Sequence, residues 1–380
     1  MEFKKYRLGE IATFSQGKQV DVKEQYATKR KDMKKFTRIV DYTNASEPVR
    51  YVENYGDRYF ASEDELVMIR YGSQTAGMAV MGKNGIIANN LFKINLNNDI
   101  VLNKYMYYYL SQKEIFNYLR SSQSSSTMPA ISFSIMNSLE IDIPSIDYQK
   151  KAINILLKIE KKQELNNKIN DNLQKFIINL YDSKFNQKEK NGKLKDIVKK
   201  VNNSVNVKNK NSNLKYFPVD VLPSNYLITK EGKENDEAKS SLIEFNKYDI
   251  LIGAMRVYFH RVCLAAEDGI TRTTTFVLQP RKKEYLYYAL ITMNKDLFID
   301  YASYTSKGST MPYAVWENAC EDYEIYIPYI GEVENFNKIA ESILEKMIEN
   351  EKENRELEQL RNILLPKLMN GEIDLDKIKI

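Results

Sequence analysis

One histidine, His260, and two cysteines, Cys263 and Cys320, are scarce provision for chemistry in a chain of 380 residues. A single histidine excludes any reaction or metal site that needs two. Two cysteines make neither a disulfide framework nor a four-cysteine zinc site. No apolar run is long enough for a membrane helix, and the mean hydropathy is −0.51. The opening residues lack the basic, apolar and small-residue order of a secretory signal, so an intracellular, cytoplasmic chain is expected. Neither a G-x-x-x-x-G-K-[ST] nor a G-x-G-x-x-G motif occurs, and Gly72, Gly77, Gly82 and Gly85 have the wrong spacing for a dinucleotide site. His260 sits between Phe259 and Arg261 with no visible orienting partner. A polar packing contact is its bland reading, and a contact to DNA the sharper one. Excess charge of one sign is also missing: 56 basic against 51 acidic side chains leave +5, so any nucleic-acid surface has to be local.

What the chain does have is an internal repeat of about half its length. Thr127-Met128-Pro129 returns as Thr310-Met311-Pro312, and Ile143-Pro144 as Ile327-Pro328, an offset of 183 to 184. Tyr105-Met-Tyr-Tyr-Tyr-Leu110 returns as Tyr285-Leu-Tyr-Tyr-Ala-Leu290, and Leu8-Gly-Glu-Ile11 as Leu194-Lys-Asp-Ile197. Each half opens on a short strand-like segment. Further strands are expected near Glu65–Arg70 and Phe92–Leu96, and again near Asp249–Met255 and Thr275–Leu278. A tyrosine-rich helix follows in each half, near Lys104–Leu119 and Glu284–Tyr301. Then come a Ser/Thr-rich loop, the Met-Pro step, and a short strand ending at Ile-Pro.

Each half closes on a long helix. The first is expected from Tyr148 to about Lys184, capped by Asp147, and the second from about Val333 to Leu365, ended by Pro366. Heptad-like stripes run through Ala152, Leu156, Ile159, Gln163, Asn166, Asn170, Leu173, Ile177 and Leu180, and through Phe336, Ala340, Ile343, Met347, Asn350, Asn354, Leu357, Arg361 and Leu364. Both are apolar at the ends and polar in the middle. Paired antiparallel, the asparagines would meet in a register-fixing layer; alternatively they are solvated where the seam opens. A helix of ~37 residues spans ~55 Å. Residues 340–359 carry seven acidic and three basic side chains, which makes that rod an unlikely DNA surface.

Positive charge gathers where each half begins: ten basic and five acidic residues in 1–35, nine basic and two acidic in 188–215. Such clusters supply salt-dependent phosphate affinity, while base edges are read by Arg, Asn, Gln, Ser and Thr. Candidate contacts in the first half are Lys18, Lys29, Arg30, Arg70, Tyr71, Ser73, Gln74, Asn89 and Asn90. In the second they are Arg256, Tyr258, His260, Arg261, Arg272, Thr273 and Lys307. The place of Arg70 is matched to Arg256, and Asn89-Asn90 roughly to Arg272-Thr273-Thr274. Ordinary surface loops are the competing reading for any one of them.

Tyr6-Arg-Leu-Gly-Glu-Ile11, Ile141-Asp-Ile-Pro144 before a long helix, and Leu365-Pro-Lys-Leu-Met-Asn-Gly-Glu-Ile373 resemble the specificity subunits of Type I restriction-modification enzymes. The resemblance extends over essentially the whole chain. It implies an α+β chain of two tandem target recognition domains, strand-rich and mixed α/β, at residues 1–146 and 187–330. A central helix at 147–186 and a C-terminal helix and tail at 331–380 would form an antiparallel coiled coil. Each recognition domain would read one half of a bipartite, asymmetric DNA site. The helices would set the spacer and dock two methyltransferase subunits.

By the same resemblance the chain is not itself catalytic and holds no cofactor. S-adenosylmethionine would belong to the methyltransferase, which modifies adenine at N6, and ATP and Mg2+ to a restriction subunit, if one takes part. A coiled-coil scaffold that binds only protein is the alternative; it leaves the basic segments and the duplicated strand-rich halves without a use. A free-standing enzyme lacks its motifs.

Overall fold

A computed structural model describes residues 3–44, 46–122, 130–207, 210–211 and 213–377. Thr127-Met128-Pro129 lies outside them. The chain divides into two compact units, residues 1–161 with 358–380, and residues 162–357. Among the described residues, no helix is long and apolar enough to cross a membrane.

The first unit is built on the buried run Leu66–Ile69, whose four side chains are all fully covered. Such a continuous apolar run suits a central strand. It lies between Leu91–Leu96 and Ala79–Met81, with Ala12–Gln16 outside Leu91–Leu96, all antiparallel. A second sheet has the order Arg50–Val52, Lys34–Thr37, Gly85–Ile87, Phe60–Ala61, with its middle pair parallel. Lys4–Arg7 pairs with Glu140–Ile143.

The second unit repeats this plan. Val198–Val201, Thr275–Pro280, Ile250–Gly253 and Val262–Leu264 form the antiparallel sheet, and Gly192–Lys193 pairs with Glu324–Ile325. The register is repeated too: Ile69 faces Leu91 as Gly253 faces Thr275, at the offset of 184 seen in the sequence. The second sheets share three strands and differ in the fourth. Arg50–Val52 extends the sheet beyond the parallel strand Lys34–Thr37, whereas Ser204–Val205 extends its counterpart beyond the antiparallel strand Leu242–Phe245.

Each expected tyrosine-rich helix is in fact two helices. Asn103–Leu110 and Lys113–Ser121 are separated at Ser111, whose hydroxyl and amide both donate to the Tyr107 carbonyl, and at extended Gln112. Leu286–Met293 and Asp296–Tyr304 are separated at Asn294, whose side chain donates to Val262 O at 2.9 Å, and at extended Lys295. The Ser111 hydroxyl gives a carbonyl of the last helical turn a second donor, and the Asn294 amide ties the other junction to the strand Val262–Leu264.

The long helices run Ile146–Phe185 and Ile330–Met369. The first is capped by Ser145, which accepts from the Tyr148 amide at 3.4 Å, rather than by Asp147, which pairs with Lys151 at 2.9 Å inside the first turn. Pro366 does not end the second. Loss of one amide donor near a helix terminus is outweighed by burial of Leu368 and Met369 in the first unit's core, where Tyr148 donates to Leu368 O at 3.0 Å.

Asn166, Asn170 and Asn350 are buried rather than solvated, and Asn354 is half-buried. In the second unit, Asn350 donates to Asn170 Oδ1 at 2.8 Å and Asn166 to Asn354 Oδ1 at 3.0 Å. Asn170 also donates to the Tyr226 hydroxyl at 2.9 Å, which donates to Glu351 at 2.7 Å. Burial, then the Glu351 charge, holds the Tyr226 hydroxyl far above its usual pKa, so it stays a donor. Tyr181, rather than Leu180, completes the buried stripe, packing with Phe185, Tyr288 and Phe336.

Candidate nucleic-acid interface

In the first unit the chain ends of three strands converge. The Arg70 amide donates to Asn90 O at 2.9 Å, and Ile131 N–H returns to Arg70 O at 3.0 Å. The Arg70 guanidinium donates to Gln16 Oε1 at 2.5 Å and lies over the rings of Tyr71 and Phe133 at 5.2 and 5.5 Å. Gln16 in turn donates to the Asn89 carbonyl. Gly17 permits this approach, because a Cβ there would collide with the Ala88 carbonyl. Arg70, Tyr71, Asn89 and Asn90 thus form one cluster. Ser73 and Gln74 stand exposed on the adjoining turn, where Arg120 donates to Ser73 O at 2.6 Å.

Lys18 belongs to a neighbouring basic and aromatic rim. It lies 5.0 and 5.6 Å from the Tyr55 and Tyr59 rings, Arg30 sits 4.4 Å over Tyr26, and Arg58 and Lys34 lie over Tyr59 and Phe60. Lys29 is exposed beside Arg30. Tyr55, Tyr59, Arg58 and Lys34 are members that sequence reading passed over; no spacing signals that they share one sheet rim.

In the second unit the residue equivalent to Arg70 is Ala254, not Arg256. The Ala254 N–H donates to Thr274 O and the Ala254 carbonyl accepts from the Ala314 N–H, as Arg70 does with Asn90 and Ile131. Met255 bridges Tyr313 as Tyr71 bridges Ala130. Arg256 therefore falls at the position of Gly72, with φ +48, and is exposed. The loop match survives, with Asn89-Asn90 equivalent to Thr273-Thr274. Exposed Arg256, Tyr258, Thr273 and Lys307 share this edge with Tyr313, which pairs with Lys307 through both backbone bonds. Arg272 donates to Ser240 Oγ at 3.2 Å.

Two candidates serve packing. His260 is buried, with Nε2 2.8 Å from Asn294 O and Nδ1 3.3 Å from Asp296, so its ring nitrogens are used at a helix junction. Arg261 is held by Val219 O at 2.7 Å and lies over Phe259. The two cysteines are buried as well. Burial pushes the Cys320 thiol up to about 12 and that of Cys263 higher still, so neither is a thiolate at neutral pH. Among the described residues no group of three or more His, Cys, Asp or Glu is placed to hold a metal.

The expected duplication of positive charge also needs correction. In residues 188–215, Lys188, Lys193, Lys195, Lys200 and Lys215 pair with Glu332, Asp322, Asp322, Glu317 and Glu234. Lysines close together in sequence meet carboxylates brought in from far along the chain. In the first unit Lys18, Lys29, Arg30, Lys34 and Arg58 have no carboxylate partner among the described residues, and Lys29, Arg30 and Arg58 are exposed.

Residues 1–175 match the family of the Type I restriction modification DNA specificity domain. The chain is 25% identical to the Type I restriction enzyme MjaIX specificity subunit of Methanocaldococcus jannaschii over 80% of its own length and 76% of that protein's. It is 23% identical to the MjaVIII specificity subunit of the same organism over 85% and 82%. The crystal structure of a Type I restriction-modification S subunit from M. genitalium has the same fold, with a TM-score of 0.61 at 16% identity over 97% of this chain and 96% of that one.

Proposed function

We infer that this chain, whose first 175 residues match the family of the Type I restriction modification DNA specificity domain, serves as the specificity subunit of such a system. On that premise its task is to read DNA for partners that carry out the chemistry. Each unit reads one half of a bipartite site. The observation that carries this reading is the repeat itself: one scaffold in two copies, with unlike side chains at equivalent strand ends. Arg70 and Ala254, Tyr71 and Met255, Asn89 and Thr273, and Asn90 and Thr274 occupy matching backbone positions. A shared frame with different base-facing side chains suits an asymmetric site. Two methyltransferase subunits would supply S-adenosylmethionine and extrude the adenine. ATP and Mg2+ would enter with a restriction subunit.

Methylome sequencing of a host expressing this chain with its methyltransferase is expected to give one bipartite, asymmetric motif. A chain that only scaffolds protein would leave the methylome unaltered. DNA binding by the complex should also fall steeply with salt. Six neutralised phosphates imply a loss of roughly 10³ between 50 and 200 mM. A flat salt response would exclude the DNA reading.

The spacer is the helices' share of this proposal. Removing seven residues from each long helix, at positions that face each other, shortens the pair by ~10 Å. At ~3.4 Å per base pair that is about three base pairs. The expected motif keeps both half-sites and has a shorter gap; an unchanged gap would sink the ruler reading.

A further inference from the structure

The two units share an aromatic pair beneath the strand ends. Phe92 and Phe133 meet edge-on at 5.1 Å between ring centres in the first, and Phe276 and Trp316 meet edge-on at 5.9 Å at the equivalent places in the second. What stands on the pair differs. In the second unit Ala254 leaves a hollow of about 250 Å3, lined by Met255, Thr273, Phe276, Tyr313 and Trp316. The cation near its rings is Lys200, 5.3 Å from Phe276, and it is tied to Glu317 at 2.8 Å. That bond holds the Glu317 carboxyl below its usual range, so the pair is charge-compensated.

In the first unit the hollow's place is taken by Arg70. Among the described residues its side-chain hydrogen-bond partner is Gln16, which is neutral, and no carboxylate there offsets the guanidinium charge. Nε finds no acceptor among the described residues, and neither does the buried Asn90 Oδ1 find a donor. The guanidinium lies over the Tyr71 and Phe133 rings, and Gln16 holds one of its terminal nitrogens, so its position is constrained from two sides. An oriented, uncompensated fork flanked by two asparagines is the arrangement that matches the O6 and N7 acceptors of guanine in a major groove.

We propose that Arg70 reads a guanine in the half-site recognised by the first unit, with Gln16 as its positioning residue, and that the second unit has no arginine-read guanine at the corresponding step. This rests on the DNA-reading role proposed above. A phosphate contact by Arg70 is the competing outcome, and Arg70→Lys separates the two. Lysine keeps the charge and the reach to a phosphate but lacks the planar fork. In the complex with its methyltransferase, the variant is expected to methylate sites with any base at one first-half position, a loss of discrimination of about 10- to 100-fold. All other positions of the motif should be kept. Gln16→Leu should relax the same position to a smaller degree, with the second half-site and the spacer unaltered.

A measurement on the unaltered protein makes the result independent of folding. Replacing that guanine with 7-deazaguanine removes one acceptor from the fork and should weaken binding about 5- to 10-fold. A phosphate contact would not register the change. If the wild-type motif is bipartite but its first half contains no guanine, the Arg70 assignment is wrong and the DNA-reading role stands. The same holds if Arg70→Lys leaves the guanine requirement intact or if 7-deazaguanine binds undiminished. If the wild type yields no motif, the DNA-reading role fails and takes this assignment with it.

Discussion

On the bipartite reading proposed above, replacing Lys162–Leu357 as one block by the matching block of a relative with another target is expected to change one half-site completely and leave the other as it was. The limits of the block follow from packing. Tyr181 and Phe185 of the first long helix and Phe336 of the second lie in one buried cluster with Tyr288, Phe298 and Trp316, all within the second unit. The ring pairs are close: Phe185 meets Tyr288 at 5.2 Å and Phe336 at 5.5 Å. Cutting at residues 192 and 330 would divide that cluster between two parents. A mismatch that removes one such buried ring costs about 3–5 kcal/mol, a large part of what a domain has. The wider block carries these rings together with both sides of the asparagine layer, and with the Lys162–Glu353 pair at 3.0 Å. Its junctions fall in the long helices themselves. Methylome sequencing and a urea melt of the chimera check the two halves of this expectation. A motif altered in both half-sites would contradict independent reading by the two units. A melting midpoint as low as that of the narrow exchange would contradict the shared core.

The legible parts of this fold were those that repeat or run long. A helix of 40 residues leaves a stripe at heptad spacing, and the asparagines stood out because they interrupt it at matching depths in both helices. The strands Leu66–Ile69 and Ile250–Gly253 showed as short apolar runs within one residue or two of their true ends. Less legible were features set by a partner far along the chain. Gln16 orients Arg70 from 54 residues away, and nothing near Gln16 in sequence marks it. The match of Arg70 to Arg256 was drawn by residue type, whereas the backbone pairs Arg70 with Ala254; similarity of side chain misleads at a position whose side chain has diverged. Charge counts misled for a related reason. They assign each lysine to its sequence neighbours, but Lys193 and Lys195 are both compensated by Asp322, more than 120 residues on. Pro366 was read as a stop because local backbone chemistry disfavours it there, and the burial of Leu368 and Met369 overrode that preference.

The polar layer leads to the second large expectation. Asn170 is fully buried and engaged at both ends of its amide, donating to Tyr226 and to Met347 O at 3.2 Å and accepting from Asn350. Asn170→Leu removes these bonds and leaves the Asn350 amide without its acceptor. Each buried group so orphaned costs about 1–3 kcal/mol, so a loss of roughly 2–4 kcal/mol is expected, seen as a lower urea midpoint at unchanged slope. Asn350→Leu should do similar damage from the other side. The double variant Asn170→Leu/Asn350→Leu should not show the sum. It places two leucines face to face in a seam already lined by Ile177, Ile343 and Met347, and most of the lost stability should return, a coupling of about 1–3 kcal/mol. Additive losses would mean the two side chains do not act as a pair. The recovered variant also tests what the asparagines are for. A buried polar pair restricts a helix seam to the registers that satisfy it, and an apolar pair tolerates several. If the layer sets register, the stable double variant should methylate sites with a spread of spacer lengths where the wild type is expected to accept one. A single, unaltered spacer in a variant of restored stability would assign the register to the aromatic packing around Phe185 and Phe336 instead.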